Sequence, residues 1–130
     1  MKKRKLAVIG PGLIGKKHIE LINASKDVKL SAIVAPDSCK HILLADKLGV
    51  PIYTKLEDCL AQRELDGVII SSPNQFHFEQ ASLCIEFGIP VLVEKPVTVT
   101  LKEARELSRL AQHNNAKVIV GHHRTYSPLL

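Results

Sequence analysis

The sequence predicts a doubly wound α/β fold, a parallel sheet of about six strands with helices on both faces. Three observations predict it. Short runs of Val, Ile and Leu without polar alternation recur along the chain, as expected of strands buried on both faces. Longer helical stretches separate them, which suits right-handed crossovers between parallel strands. The glycine-rich segment GPGLIG, Gly10–Gly15, joins the first such run to the first such stretch.

The elements follow in order. A strand at Lys5–Ile9 leads through the glycines to a helix at Leu13–Ala24, with Ile14, His18, Leu21 and Ile22 on its apolar face. Val28–Val34 and Pro51–Tyr53 read as the second and third strands. TKLEDCL then opens with T-x-x-E, Thr54 and Glu57, the reciprocal capping pattern of a helix start. After a fourth strand at Gly67–Ser71, Asn74 is placed as the cap of a helix over Gln75–Phe87. Gly88 ends that helix in the left-handed conformation. Val91–Val93 is the fifth strand, Thr100 and Glu103 cap the helix in TLKEARELSRLA, and Lys117–Val120 is the sixth strand. Six strands with five helical connections make a Rossmann-type order the natural topology. No repeat or linker interrupts residues 1–120, which read as one domain.

Bulk properties narrow the function. With 130 residues, 45% of them apolar, the chain can bury one compact core. The net charge of +5 is concentrated in part at KKRK, Lys2–Lys5, and the chain holds three Phe, two Tyr and no Trp. Stacking platforms for bases are therefore scarce, and nucleic acid is not expected as a partner. The basic start and LAVIGPGLIG imitate a secretory leader, but Pro11, the glycines and Lys16-Lys17 interrupt it without a cleavage site. No stretch is long enough to cross a bilayer, so no membrane partner is expected. Cys39, Cys59 and Cys84 form neither a disulfide framework nor a metal site, which fits a reducing, cytoplasmic compartment. Cys59 and Cys84 fall on apolar helix faces and read as buried, inert thiols.

GPGLIG fits G-x-G-x-x-G in the required context, after a strand and before a helix. Gly10 allows the tight turn, Gly12 lets backbone approach a pyrophosphate, and Gly15 permits close helix–strand contact. Free N–H groups at the helix start, from Leu13 and Ile14 onward, then hold the phosphates with the positive end of the helix dipole. A dinucleotide site follows. NAD-selective sites place an acid about 20 residues onward, at the end of the second strand. Ala35 occupies that position, with Asp37 two residues later. Without a carboxylate at Ala35, Ser38 and Lys40 can donate to a 2′-phosphate, and NADP is favoured over NAD. The competing reading has Asp37 swing back to serve NAD.

Glu94 and Lys95 directly follow the fifth strand, where the ligand crevice of an open α/β sheet lies, and Pro96 fixes the backbone behind them. A lysine there can stabilise a developing alkoxide or pass a proton. An ordinary surface Glu–Lys pair leaving a strand has the same spacing. Ser71, Ser72, Pro73, Asn74 and His77 follow the fourth strand into the same crevice. His77 either lines the cofactor or shares a capping network.

These segments in this order, GPGLIGKKH with His18, SSPNQFH, GIPVLVEKPVT and VGHHRTYSP, resemble the Gfo/Idh/MocA oxidoreductase family over nearly the whole chain. The resemblance implies an NAD(P)-binding domain followed by an α/β substrate domain. It implies that Lys95 contacts cofactor and substrate as the catalytic residue, and that Asn74, His77, Glu94 and His122 wall the nicotinamide pocket. The implied chemistry is reversible hydride transfer between nicotinamide and a hydroxyl-bearing carbon, often of a sugar or cyclitol.

Three departures from the family pattern stand out. Its members are much longer, so the substrate domain and its acid/base histidine are expected to be absent here, with residues 121–130 beginning the connection to it. Ala35 replaces the frequent acid. Thr125 stands where an arginine often does.

The expectation is therefore a cofactor-binding domain without turnover of its own. A small-molecule substrate would be engaged only with the missing domain. Tyr126, Leu129 and Leu130 would then be exposed, which predicts self-association through the C-terminal region or a disordered tail. The alternative is a stand-alone, non-catalytic dinucleotide-binding or redox-sensing module, or a subunit completed by another chain.

Overall fold

The computed structural model describes residues 2–95, 100–121 and 126–128, the side chains of the last three and of residue 121 excepted. Its strands are β1 (Arg4–Ile9), β2 (Val28–Val34), β3 (Ile52–Tyr53), β4 (Gly67–Ile70), β5 (Val91–Glu94), β6 (Val118–Gly121) and β7 (Tyr126–Pro128). The α-helices are α1 (Leu13–Ala24), α2 (Ile42–Leu48), α3 (Leu56–Gln62), α4 (His77–Glu86) and α5 (Leu101–His113). They form one sheet in the order β3-β2-β1-β4-β5-β6-β7. The pairs from β3 to β6 are parallel, and β7 runs antiparallel to β6. Six parallel strands were expected. The seventh was not: it lies within the segment read as a connection.

Alternating strand residues feed two cores, which is why the strands read as continuous apolar runs. Ala7, Ile9, Val68, Ile70, Val91 and Val93 pack with Cys59 and Leu60 of α3, Cys84 and Ile85 of α4, and Leu107 of α5. On the opposite face Val8, Ile33 and Ile69 pack with Ile19 and Ile22 of α1 and Ala45 of α2. In the central part of the sheet a strand residue thus has a covered side whichever way it points, while Arg4 and Lys29 at the strand starts are exposed.

The helix boundaries show where local signals prevail. Thr100 caps α5 as expected, its hydroxyl accepting from the Glu103 N–H at 3.1 Å, and Gly88 takes φ +73° behind α4. Thr54 does not cap α3. That helix begins at Leu56 behind Lys55, and the Thr54 hydroxyl is 3.0 Å from Ser38 Oγ instead. Nor does Asn74 cap α4, because residues Asn74–Phe76 form a 3₁₀ turn before the helix proper. The buried stripe of α1 is Gly15, His18, Ile19 and Ile22, whereas Leu21 is 65% exposed.

All three cysteines are free, Cys39 exposed and the other two buried. Burial pushes the Cys59 thiol up to about 11 and the Cys84 thiol up to about 12. Because the folded values exceed the ordinary 9.0, both thiols favour the fold below pH 9, and that contribution is lost as pH rises through 11 to 12. A thiol-reactive aromatic disulfide at pH 8 should therefore titrate Cys39 alone in the native chain, and all three after denaturation. Reaction of Cys59 or Cys84 in the native chain would contradict this packing.

Candidate functional site

From β1 the chain moves outward through β2 to β3, then returns to the other side of β1 to lay down β4. The connections after β1 and β4 therefore diverge, and a crevice opens at their carboxyl ends. A cavity of about 1400 Å³ occupies it. This exceeds the roughly 300–1,000 Å³ typical of compact small-molecule pockets and suits an elongated ligand.

The glycine loop forms its floor. Gly10 has φ +80°, and a Cβ there would lie 2.7 Å from the Ser72 backbone. A Cβ on Gly15 would lie 2.2 Å from the Gly10 carbonyl oxygen. These two glycines let the loop, α1 and the end of β4 close on one another. Gly12 is different: a Cβ there would meet nothing within 4 Å. It faces the cavity, where a ligand can approach the backbone.

Gly12 is also the N-cap of α1, without a side-chain cap bond and without an acid in the first turn. The first N–H groups of the helix thus have neither a capping oxygen nor a compensating charge, the arrangement that binds phosphate. Ser71 adds a second indication. Its Oγ is buried and, among the described residues, is the one buried side-chain oxygen or nitrogen without a hydrogen-bond partner. Ser71 lines the cavity beside the loop, so an acceptor-rich ligand would satisfy it. The residues present fit the diphosphate of a dinucleotide.

At the β5 end, Glu94 and the exposed Lys95 both line the cavity. Glu94 Oε1 accepts a short hydrogen bond from His18 Nε2 of α1, a partnership invisible in the sequence. Ser72, Pro73, Asn74 and His77 complete this wall. His77 is 1% exposed and its Nε2 donates to the Ser72 carbonyl at 2.6 Å, so it braces the β4 exit as well as lining the crevice.

At the β2 end the wall contains Ala35 and Asp37, joined by His41 and Thr54, which sequence reasoning missed. His41 Nε2 lies 3.4 Å from Asp37 Oδ1. Ser38 and Lys40 are not in the wall: Ser38 is engaged by Thr54, and Lys40 is exposed at the end of the 3₁₀ turn. Leu13 and Ile14 line the loop, while Gly15 packs behind it. Pro96 and His122 lie outside the described residues, as do His123, Thr125, Leu129 and Leu130. Among the described residues no cluster of His, Cys, Asp and Glu could hold a metal ion, and no helix is long and apolar enough to cross a membrane.

Residues 4–122 match a family described as "Oxidoreductase family, NAD-binding Rossmann fold", GFO_IDH_MocA. The chain is 32% identical over 130 residues to an inositol 2-dehydrogenase of Corynebacterium glutamicum, covering 98% of this chain and 39% of that protein. Among solved structures, myo-inositol 2-dehydrogenase from Lactobacillus plantarum superposes with a TM-score of 0.85 at 30% identity, over 92% of this chain and 36% of that one. The WlbA dehydrogenase of Chromobacterium violaceum, solved with NADH and UDP-GlcNAcA, gives a TM-score of 0.87 at 25% identity over 93% of this chain and 35% of that one. The chain thus spans well under half the length of these relatives.

Proposed function

The chain belongs to the Gfo/Idh/MocA oxidoreductase family, and on that footing we propose that it is the cofactor-holding part of a dehydrogenase acting on a sugar, a cyclitol or a similar small molecule. One observation carries the reading: the uncapped start of α1, open at Gly12, shares a single cavity with Lys95. A nicotinamide dinucleotide bound there supplies or accepts the hydride. The N–H groups of Leu13, Ile14 and Gly15 hold the pyrophosphate. Ser71, Ser72, Pro73, Asn74, His77 and Glu94 wall the nicotinamide end, with Pro96 and His122 assigned to it by family resemblance.

Lys95 holds the substrate oxygen. Its ammonium stabilises the developing alkoxide when a carbonyl is reduced and gives it a proton; in the reverse direction the amine takes that proton. The inositol dehydrogenases among the relatives support a cyclitol as substrate. Contacts that fix its identity are assigned to a second domain or chain, with residues 121–130 leading toward it. Positioning supplies much of a barrier's reduction, so residues 1–130 alone should show no measurable turnover of inositol. The free cysteines support a reducing, cytoplasmic setting.

The cofactor's ribose end supports NADP. Ala35 is fully buried and carries no charge, and the Asp37 carboxylate already has a partner in His41, whose Nε2 lies 3.4 Å from its Oδ1. Fluorescence titration of the 130-residue chain with NADPH and NADH is the test. NADPH should bind at least as tightly as NADH. A tenfold preference for NADH would reverse the assignment, and no binding of either at millimolar concentration would overturn the cofactor site itself.

A further inference from the structure

The His18–Glu94 contact joins two parts of the molecule that no sequence motif connects. His18 lies on α1, just beyond the glycine loop, and Glu94 ends β5, with β4 standing between β1 and β5 in the sheet. Both side chains are largely removed from water, at 8% and 15% exposure. A carboxylate that far from solvent requires a donor, and the imidazole Nε2–H supplies it. Glu94 is also the residue immediately before Lys95. Its carboxylate therefore ties the backbone that presents Lys95 to the helix whose first turn faces the pyrophosphate.

We propose that His18 is a positioning residue: through Glu94 it sets Lys95 against the nicotinamide end of the cofactor held by α1. His18 itself is not in the cavity wall. It acts on the ligand only through Glu94, and its effect is confined to the half of the cofactor nearest β5. The adenosine and diphosphate, held by β2 and the glycine loop, do not depend on it. This inference rests on the dinucleotide reading of the cavity.

The test compares two ligands on the 130-residue chain. ADP-ribose carries the adenosine and diphosphate without the nicotinamide; NADH carries all three. Acylation of Lys95 by a water-soluble amine reagent, read by mass spectrometry, reports the environment of its Nζ. For His18→Ala, ADP-ribose affinity should stay within about twofold of wild type, while NADH affinity falls about tenfold, a difference of about 1.4 kcal/mol. NADH should slow Lys95 acylation in the wild type and not in His18→Ala. His18→Gln, whose amide N–H can donate to Glu94, should recover at least half of both effects.

Equal loss of the two ligands in His18→Ala would reduce the pair to a structural brace and overturn the proposal. Unchanged NADH binding and unchanged Lys95 protection would overturn it too. A wild-type chain that binds neither ligand would overturn the dinucleotide reading along with it, so the two failures are distinguishable.

Discussion

Replacing Gly12 by aspartate is expected to leave the fold at least as stable as before and to abolish cofactor binding. Gly12 has φ −78° and open space where its Cβ would stand, so the side chain is accommodated without strain. It is also the N-cap of a helix that lacks a capping side chain. Aspartate there can accept from the N–H groups of the first turn and meets the positive end of the dipole, each a stabilising contribution of up to about 1 kcal/mol. The same carboxylate would occupy the approach of the pyrophosphate and satisfy its donors. Juxtaposed like charges cost several kcal/mol, so NADH affinity should fall at least about 100-fold. Denaturant melts paired with NADH titrations read both quantities. A variant that still binds NADH within tenfold of wild type would remove the phosphates from the start of α1.

Gly15→Ala is expected to act in the opposite way, on the fold first. Helix propensity alone favours alanine over glycine by about 1 kcal/mol. The new Cβ, however, would stand 2.2 Å from the Gly10 carbonyl oxygen, which is backbone and cannot rotate aside. Either α1 moves off the loop or the loop opens, and collisions of this kind cost about 3 kcal/mol, enough to outweigh the propensity gain. Thermal unfolding should drop by roughly 10 °C, with NADH binding lost because the first turn of α1 is displaced from the loop. An unchanged melting temperature would mean that α1 and the loop do not close as described.

The fold was legible because its signals are local. The glycines and the apolar runs placed α1 at its observed bounds, and a switch of period separated strands from helices. What was misread depended on tertiary contacts. The stripe expected on α1 ran through Ile14 and Leu21, whereas the buried one runs through Gly15 and Ile19, and a glycine has no side chain to contribute to hydropathy. Thr54 has the spacing of a cap, but its hydroxyl is taken by Ser38, sixteen residues earlier. Asn74 likewise opens a 3₁₀ turn that precedes α4.

The site divides in the same way. Its floor, the glycine loop, is one contiguous motif, and Ser71–Asn74, Glu94 and Lys95 could be placed by counting to the ends of strands. The His18–Glu94 pair could not, because 76 residues separate its members and only the crossing of α1 over the sheet brings them together. His41 and Thr54 entered the wall without any motif. Ser38 and Lys40 were chosen for their chemistry at the right distance along the chain, and the 3₁₀ turn at Ser38–Lys40 keeps them out of the wall.

In the function proposed, a dinucleotide lies across the carboxyl ends of β1, β4 and β5 with its diphosphate at the start of α1. The most direct measurement is the change in backbone amide resonances as the ¹⁵N-labelled chain is titrated with NADH. The largest shifts are expected at Gly12–Gly15, with a second group at Ser71–Asn74 and Glu94–Lys95. Saturable shifts confined to other surfaces, with the amides of Gly12–Gly15 unmoved, would contradict it.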